Sequence, residues 1–181
     1  MNLIHKYAAD NDLQYKEEDI EVTRYREGTR KTQYVHCEIH YKSHLLKLRG
    51  KYELGYSGGL PYEGYPYSVL VAIAHSNPII NFHSLSSLER WMKILFNWLK
   101  GKVLDDFPKR YSHKNDAVSI ALVKEQFFRD ALLKHNIHIL SKQRKNVVLV
   151  ELTINQSVNE MKPIKDLVQV AKLVIDKFCR N

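Results

Sequence analysis

The chain has 181 residues, of which 44% are hydrophobic and 27% are charged. These values are ordinary for a globular protein, so they exclude intrinsic disorder as the default, and the length suffices for one domain with a substantial core. The formal net charge of +8 favours anionic partners such as nucleic acid, although it defines no fold.

The sequence carries no feature of a membrane-spanning or secreted protein. Its longest apolar run, Val69 to Ala74, is far shorter than the ~20 residues of a membrane-spanning helix. The first residues lack a basic segment followed by an apolar one, so we expect no signal peptide. Cys37 and Cys179 are the only cysteines, and their separation fits neither a disulfide framework nor a metal site. We therefore expect a cytoplasmic protein without a membrane partner.

The first half of the chain has the pattern of an antiparallel meander. A short helix is predicted within residues 2–13, and strands are predicted at 20–26, 33–41 and 46–54. Apolar and polar residues alternate along the last two strands, which predicts one buried and one wet face. Gly50 falls on the buried side, where a bulge or a close backbone contact would explain a glycine.

A loop rich in tyrosine and glycine follows and leads into an apolar strand at residues 68–75. Its prolines and glycines exclude a helix. Five of the eleven tyrosines of the chain lie in this loop, which we define as residues 52–67; they are Tyr52, Tyr56, Tyr62, Tyr65 and Tyr67. Tyrosine offers a large contact area with a polar tip, so the loop is typical of a surface that recognises a protein or a small ligand. The alternative is a loop packed by its own rings.

The second half of the chain is predicted to supply three helices and a hairpin. Ser86 and Glu89 have the spacing of a capping box, and an apolar stripe that includes Trp91 and Trp98 follows them. We predict helices near 86–100, 117–134 and 163–179 that cover the sheet, and a hairpin from 137–140 and 146–154. Residues 103–114 have no clear pattern, although 107–113 is compatible with an edge strand. The chain is therefore predicted to be a single α+β domain over residues 1–181.

The segment Gly55-Tyr56-Ser57-Gly58-Gly59 matches the pattern of a nucleophile elbow. In that motif a tight strand-to-helix turn exposes the serine oxygen above the sheet. Here Pro61 and Pro66 exclude the helix that the motif requires. A serine hydrolase that uses Ser57 is therefore the weakest of the three functions we consider.

His36, Glu38 and His40 alternate along one strand, so their side chains lie on one face, about 6.5–7 Å apart. Histidine and carboxylate side chains at this spacing can bind a metal ion. The same face carries lysine and arginine, which disfavour a cation, so we predict a solvated polar face and no metal. Glycine motifs of the Walker and Rossmann types are also absent from the sequence, and we predict no cofactor.

The wet face of the meander combines basic residues with an aromatic ring. Its predicted binding residues are Tyr34, Lys47, Arg49 and Lys51, together with Tyr56, Tyr62, Tyr65 and Tyr67 of the adjoining loop. Cations that contact phosphates and rings that stack on bases are typical of single-stranded nucleic-acid binding. Our first prediction is nevertheless a non-catalytic binding domain for a protein or a small ligand, because no complete catalytic set appears. Nucleic-acid binding is the alternative.

Overall fold

A computed structural model describes residues 3–25, 28–57, 67–73, 79–114, 116–144, 146–154, 156 and 158–179. Within these ranges the chain forms nine strands in one antiparallel sheet and six helices, which confirms the predicted α+β class. None of the helices in these ranges has the length and apolar character needed to cross a membrane. The strands are β1 Tyr15–Glu17, β2 Glu21–Tyr25, β3 Gly28–Tyr41, β4 His44–Ser57, β5 Tyr67–Ile73, β6 Asn81–Ser84, β7 Tyr111–His113, β8 Ile137–Arg144 and β9 Val147–Ile154. The helices are α1 Leu3–Asp10, α2 Ser87–Leu99, α3 Asp106–Arg110, α4 Ala117–Lys124, α5 Gln126–His135 and α6 Met161–Phe178.

The predicted meander and hairpin join into one continuous sheet. Its strand order is β1-β3-β4-β5-β9-β8-β6-β7, so the meander β3-β4-β5 meets the hairpin β8-β9 through the pair β5 and β9. Strand β2 pairs with β3 on the same edge as β1 and beyond it. The long hairpin of β3 and β4 extends past β5, because β5 begins opposite Gly50 and β4 continues to Ser57.

The core lies on one face of the sheet, on the side that the alternation pattern predicted. Val35, Cys37 and Ile39 of β3 are buried there, as are the inward residues of β4, β5, β8 and β9. Helix α6 packs its apolar stripe on β5 and β9, and α1 packs on β3 and β4. Gly50 lies on this side, where its backbone approaches α1. A Cβ at this position would lie 3.0 Å from Cγ1 of Ile4. The close contact predicted for this glycine is therefore confirmed.

Helix α2 does not cover the sheet, and that part of the sequence prediction is wrong. The capping box forms as predicted, with the Ser86 hydroxyl accepting from the Glu89 amide and the Glu89 carboxylate accepting from the Ser86 amide. No residue of α2 is buried, however, and Trp91 and Trp98 are 61% and 71% exposed. The helix contacts α3 and directs polar side chains inward, since Nζ of Lys93 donates to the Tyr111 carbonyl at 3.2 Å.

The region between α2 and β8 also differs from its prediction. Residues 107–113 are not one edge strand; they are divided between α3 and the short β7, which pairs with β6. The helix predicted for 117–134 is two helices, because Glu125 has an extended backbone between α4 and α5. Asp116 is the N-cap of α4, with its carboxylate accepting from the Ser119 amide at 2.8 Å.

Candidate functional site

Most of the tyrosine-rich loop lies outside the described residues. This applies to Tyr62 and Tyr65, and for Tyr56 and Ser57 only the backbone is described. Tyr56 lies opposite Arg30, and Ser57 is the last residue of β4, opposite Thr29. The next described element is the strand β5, so the described chain shows no helix of the kind that a nucleophile elbow needs. The roles predicted for these four residues stay predictions.

Tyr67 is a core residue, which corrects its assignment to the binding surface. It begins β5, and only 3% of its surface is exposed. Its ring packs edge-to-face against that of Tyr52 with centroids 6.5 Å apart, and the two hydroxyl oxygens are 3.4 Å apart. Period-two alternation places Tyr67 on the same face as the buried Val69 and Val71. Tyr52 and Tyr67 therefore anchor the two ends of the loop on the sheet.

The face of the sheet opposite the core carries the remaining predicted residues, and we call it the open face. The described helices that contact the sheet, α1, α3, α5 and α6, contribute buried residues to the core. One row across the open face runs Lys47, Leu70, Glu151 and Leu140, in register on neighbouring strands. Leu45 and Leu140 are 44% and 46% exposed. The open face therefore mixes exposed apolar side chains with charges of both signs.

Glu18 binds two basic residues of the open face and so forms a charged cluster with them. Its carboxylate accepts from Nζ of Lys47 at 3.1 Å and from Nη2 of Arg49 at 2.9 Å. The Arg49 guanidinium also lies over the ring of Tyr34, 3.8 Å from the ring centroid. This arrangement fixes Arg49 by charge and by a cation–π contact. The sequence did not predict it, because Glu18 follows β1 and lies far from Lys47 in the chain.

The cluster shifts the pKa values of two of its members. Burial acts to raise the pKa of Glu18, but the hydrogen bonds and charges of Lys47 and Arg49 outweigh it and lower that pKa. Burial and then the charge of Lys47 act to lower the pKa of His36. Together they outweigh the charges of Glu18 and Glu38, which act to raise it. Near pH 7 the cluster therefore contains a neutral histidine, one carboxylate and two cations.

The three potential metal ligands on β3 do not form a metal site in the described part of the chain. No group of three or more histidine, cysteine or acidic side chains is arranged for a metal ion among the residues that the structure describes. His36 is only 7% exposed, and its Nδ1 lies 3.1 Å from Glu18 without the alignment of a hydrogen bond. Glu38 instead lies 4.0 Å from Lys16.

A serine–histidine pair that the sequence analysis missed joins β6 and β8 at the other end of the sheet. Oγ of Ser84 is 2.8 Å from Nε2 of His138. Burial, and then the nearby charge of His83, lower the pKa of His138, so the ring is neutral near pH 7 and can accept the serine proton. Ser84 ends β6 and His138 lies in β8, and no local pattern in the sequence joins two such residues. The pair also has the simple structural role of linking two strands near the edge of the sheet.

An open cleft of about 560 Å³ lies on the helical side of the molecule, between α3 and α5. Asp105, Asp106 and Asp130 contribute acidic groups to it. Arg129 also lines the cleft, and its Nη1 donates to the Val123 carbonyl at 2.6 Å. Three solvent-exposed carboxylates beside a fixed cation do not indicate which kind of ligand the cleft would bind.

The chain was compared with protein-family models, curated proteins and solved structures, and none of them matches it.

Proposed function

We propose that the chain is a non-catalytic binding domain whose partner contacts the open face and the adjoining tyrosine-rich loop. The observation that carries the proposal is the sheet with helices packed on one side and exposed leucines on the other. A sheet face that only met water would favour polar side chains, whereas Leu45 and Leu140 are each nearly half exposed there. The mixture of leucines, charges and a stacked tyrosine–arginine pair is typical of a protein-binding surface.

The position of the loop supports its inclusion in the same surface. Within it the chain leaves β4 after Ser57, and Tyr67 begins β5 opposite Gly50. The contact between Tyr52 and Tyr67 fixes the two ends of the loop on the sheet. We propose that Tyr56, Tyr62 and Tyr65 contact the partner, and that Tyr67 acts only by holding the loop.

We also propose that the protein acts in the cytoplasm. The buried Cys37 and the exposed Cys179 are both free thiols, and burial raises the pKa of Cys37 to about 11. A buried thiol of that pKa stays protonated and chemically inert.

Site-specific photo-cross-linking tests the binding surface. A photoreactive phenylalanine derivative replaces Leu45 or Leu140 on the open face in cells that make the protein, and Lys124 on α4 serves as the control. Lys124 is exposed and lies on the helical side. We expect a discrete adduct from both open-face positions and none from Lys124. Equal adducts at all three positions, or no adduct from the open face, would contradict the proposal.

Nucleic-acid binding is the second candidate, and the net charge of +8 and the stacked pair of Tyr34 and Arg49 favour it. Glu18 opposes it, because a phosphate would have to compete with the carboxylate that Lys47 and Arg49 share. Titration of a fluorescent single-stranded oligonucleotide at several salt concentrations tests this candidate. We expect affinity that falls with salt and is reduced more by Arg49→Glu than by Lys124→Glu, which makes the same charge change on α4. No binding at low salt would exclude it.

A further inference from the structure

Helix α2 turns its apolar side away from the protein, opposite to the usual orientation of a surface helix. At about 100° per residue its apolar side chains occupy an arc of about 200°. These side chains are Leu88, Trp91, Met92, Ile94, Leu95, Phe96, Trp98 and Leu99. All are exposed except the half-buried Leu95, and Val103 just beyond the helix is almost fully exposed. An exposed apolar surface of this extent marks a contact site.

The polar side of α2 accounts for its attachment to the protein. Lys93 and Asn97 lie one turn apart on that side and are half-buried. Lys93 donates to the Tyr111 carbonyl, and the amide of Asn97 donates to the Lys93 carbonyl at 2.8 Å. The capping box fixes the first turn of the helix. The orientation of α2 is therefore set by specific polar contacts, and these contacts leave its apolar side outward.

Charge along the edges of the apolar arc identifies the kind of partner. Arg90 lies one turn before Ile94 at one edge, and Lys100 lies one turn after Phe96 at the other. Residues 87–103 contain four basic side chains and one acidic side chain, Glu89, whose carboxylate is bound at Ser86. Tryptophan, phenylalanine and leucine bordered by cations form the pattern of a helix that lies in the interface of an anionic bilayer.

A second copy of the chain fits this surface less well. The 13-residue helix is about 20 Å long and about 10 Å wide. Two such helices in contact would bury less than the roughly 1,200 Å² of accessible surface that stable complexes bury. A facing helix would also cover only part of the apolar arc and would bring like charges together. A bilayer covers the whole arc and places anionic headgroups beside Arg90 and Lys100.

We propose that α2 docks the protein on a membrane surface containing anionic phospholipid, with its apolar side inserted below the headgroups and its long axis parallel to the membrane. The long side chains of Arg90 and Lys100 extend to the phosphates along the two edges. The expectation of no membrane partner was based on the lack of a spanning segment, and an interfacial helix needs none. The inference concerns α2 and does not depend on the partner of the open face.

The two tryptophans provide a direct measurement. Trp91 and Trp98 are the only tryptophans in the chain, so intrinsic tryptophan fluorescence reports on α2 alone. The free protein is expected to emit at the long wavelength of hydrated indole, since both rings are exposed. We expect a shift to shorter wavelength and co-sedimentation with vesicles of phosphatidylcholine and phosphatidylserine, and much weaker binding to phosphatidylcholine alone. Binding to the anionic vesicles should fall about fivefold for Arg90→Gln, which removes one cation, and weaken with added salt.

A pair of matched double variants locates the contact. Leu88→Glu with Leu99→Glu changes two exposed leucines of α2, and Leu45→Glu with Leu140→Glu makes the same chemical change on the open face. We expect the α2 variant to lose at least about tenfold in vesicle affinity and the open-face variant to retain its affinity. Equal affinities for the two variants would overturn the proposal, as would a wild-type protein that binds neither vesicle. A blue-shifted emission without vesicles that disappears on dilution would overturn it in favour of self-association.

Discussion

Lys47 and Arg49 share the carboxylate of Glu18, and this contact contributes to the stability of the protein and to the charge of the open face. We predict that Glu18→Gln lowers the free energy of unfolding at neutral pH by about 1 kcal/mol, because the hydrogen bonds to Lys47 and Arg49 lose their charge at a partly exposed site. Urea unfolding measures the change. Glu151→Gln is the control, because it is the same substitution at an exposed residue of the same face.

The same contact predicts a dependence on pH. Because the pKa of Glu18 is lowered in the folded protein, the unfolded chain takes up the proton first as the pH falls below the ordinary value of 4.5. The stabilisation is therefore complete above that value and is lost as the pH falls through the lower pKa of the folded state. We expect the difference in stability between wild type and Glu18→Gln to disappear over this range. A difference that stays constant with pH would show that the carboxylate charge contributes nothing.

Gly50 is a position where the sheet and α1 approach each other closely. We predict that Gly50→Ala destabilises the protein by about 1–3 kcal/mol, because the new methyl would lie 3.0 Å from Ile4 and 3.3 Å from the buried ring of Tyr67. A double-mutant cycle with Ile4→Ala tests this cause. The two substitutions together should cost less than the sum of their separate costs, since removal of the Ile4 side chain makes space for the methyl. Simple additivity would mean that the methyl meets no resistance from α1.

Among the elements, α2 and α6 have similar apolar stripes and opposite roles. We predict that Leu99→Ala on α2 changes the free energy of unfolding by less than about 0.5 kcal/mol, because Leu99 is exposed. Leu167→Ala on α6 should cost about 2–5 kcal/mol, because Leu167 is fully buried in the core. Urea unfolding of the two variants under the same conditions measures both. A large loss for Leu99→Ala would mean that α2 is covered in the folded protein.

This pair of helices also shows how far the sequence determines the fold. Periodicity predicted both helices, and alternation predicted which side of β3 and β4 faces the core, because these patterns depend on neighbours in the chain. Periodicity does not specify what an apolar stripe packs against, and no residue of the α2 stripe is buried. The contacts of Glu18 with Arg49 and of Ser84 with His138 depend on pairing between distant strands, so no local pattern reveals them. Tyr67 was misassigned because its loop composition outweighed its place in the alternation of β5.

At the scale of the whole molecule, the sheet has a central part that supplies the buried apolar core and an extension whose described side chains include no member of that core, although Tyr52 packs against it. The extension consists of β2 with residues 28–34 of β3 and 51–57 of β4, which pair beyond the start of β5. The central strands β5, β8 and β9 carry buried rows that pack against α6 and its neighbours. Stability in such a sheet is expected to vary along the strands, because most of the buried apolar contacts of the described residues accompany the hydrogen bonds of the central part.

Amide hydrogen exchange measured residue by residue tests this division. We predict that amides of Val148–Leu152 in β9 exchange only through global unfolding and so have the highest protection in the protein. Amides in the extension, such as those of residues 29–31, should exchange through local opening with a free energy several kcal/mol lower, since the described side chains there do not belong to the buried apolar core. Binding of a partner to the open face and loop would raise protection in the extension and leave β9 unchanged, because β9 is already limited by global stability. Equal protection of the two regions in the free protein would instead mean that the sheet unfolds as one unit, and that the extension is stabilised as strongly as the core.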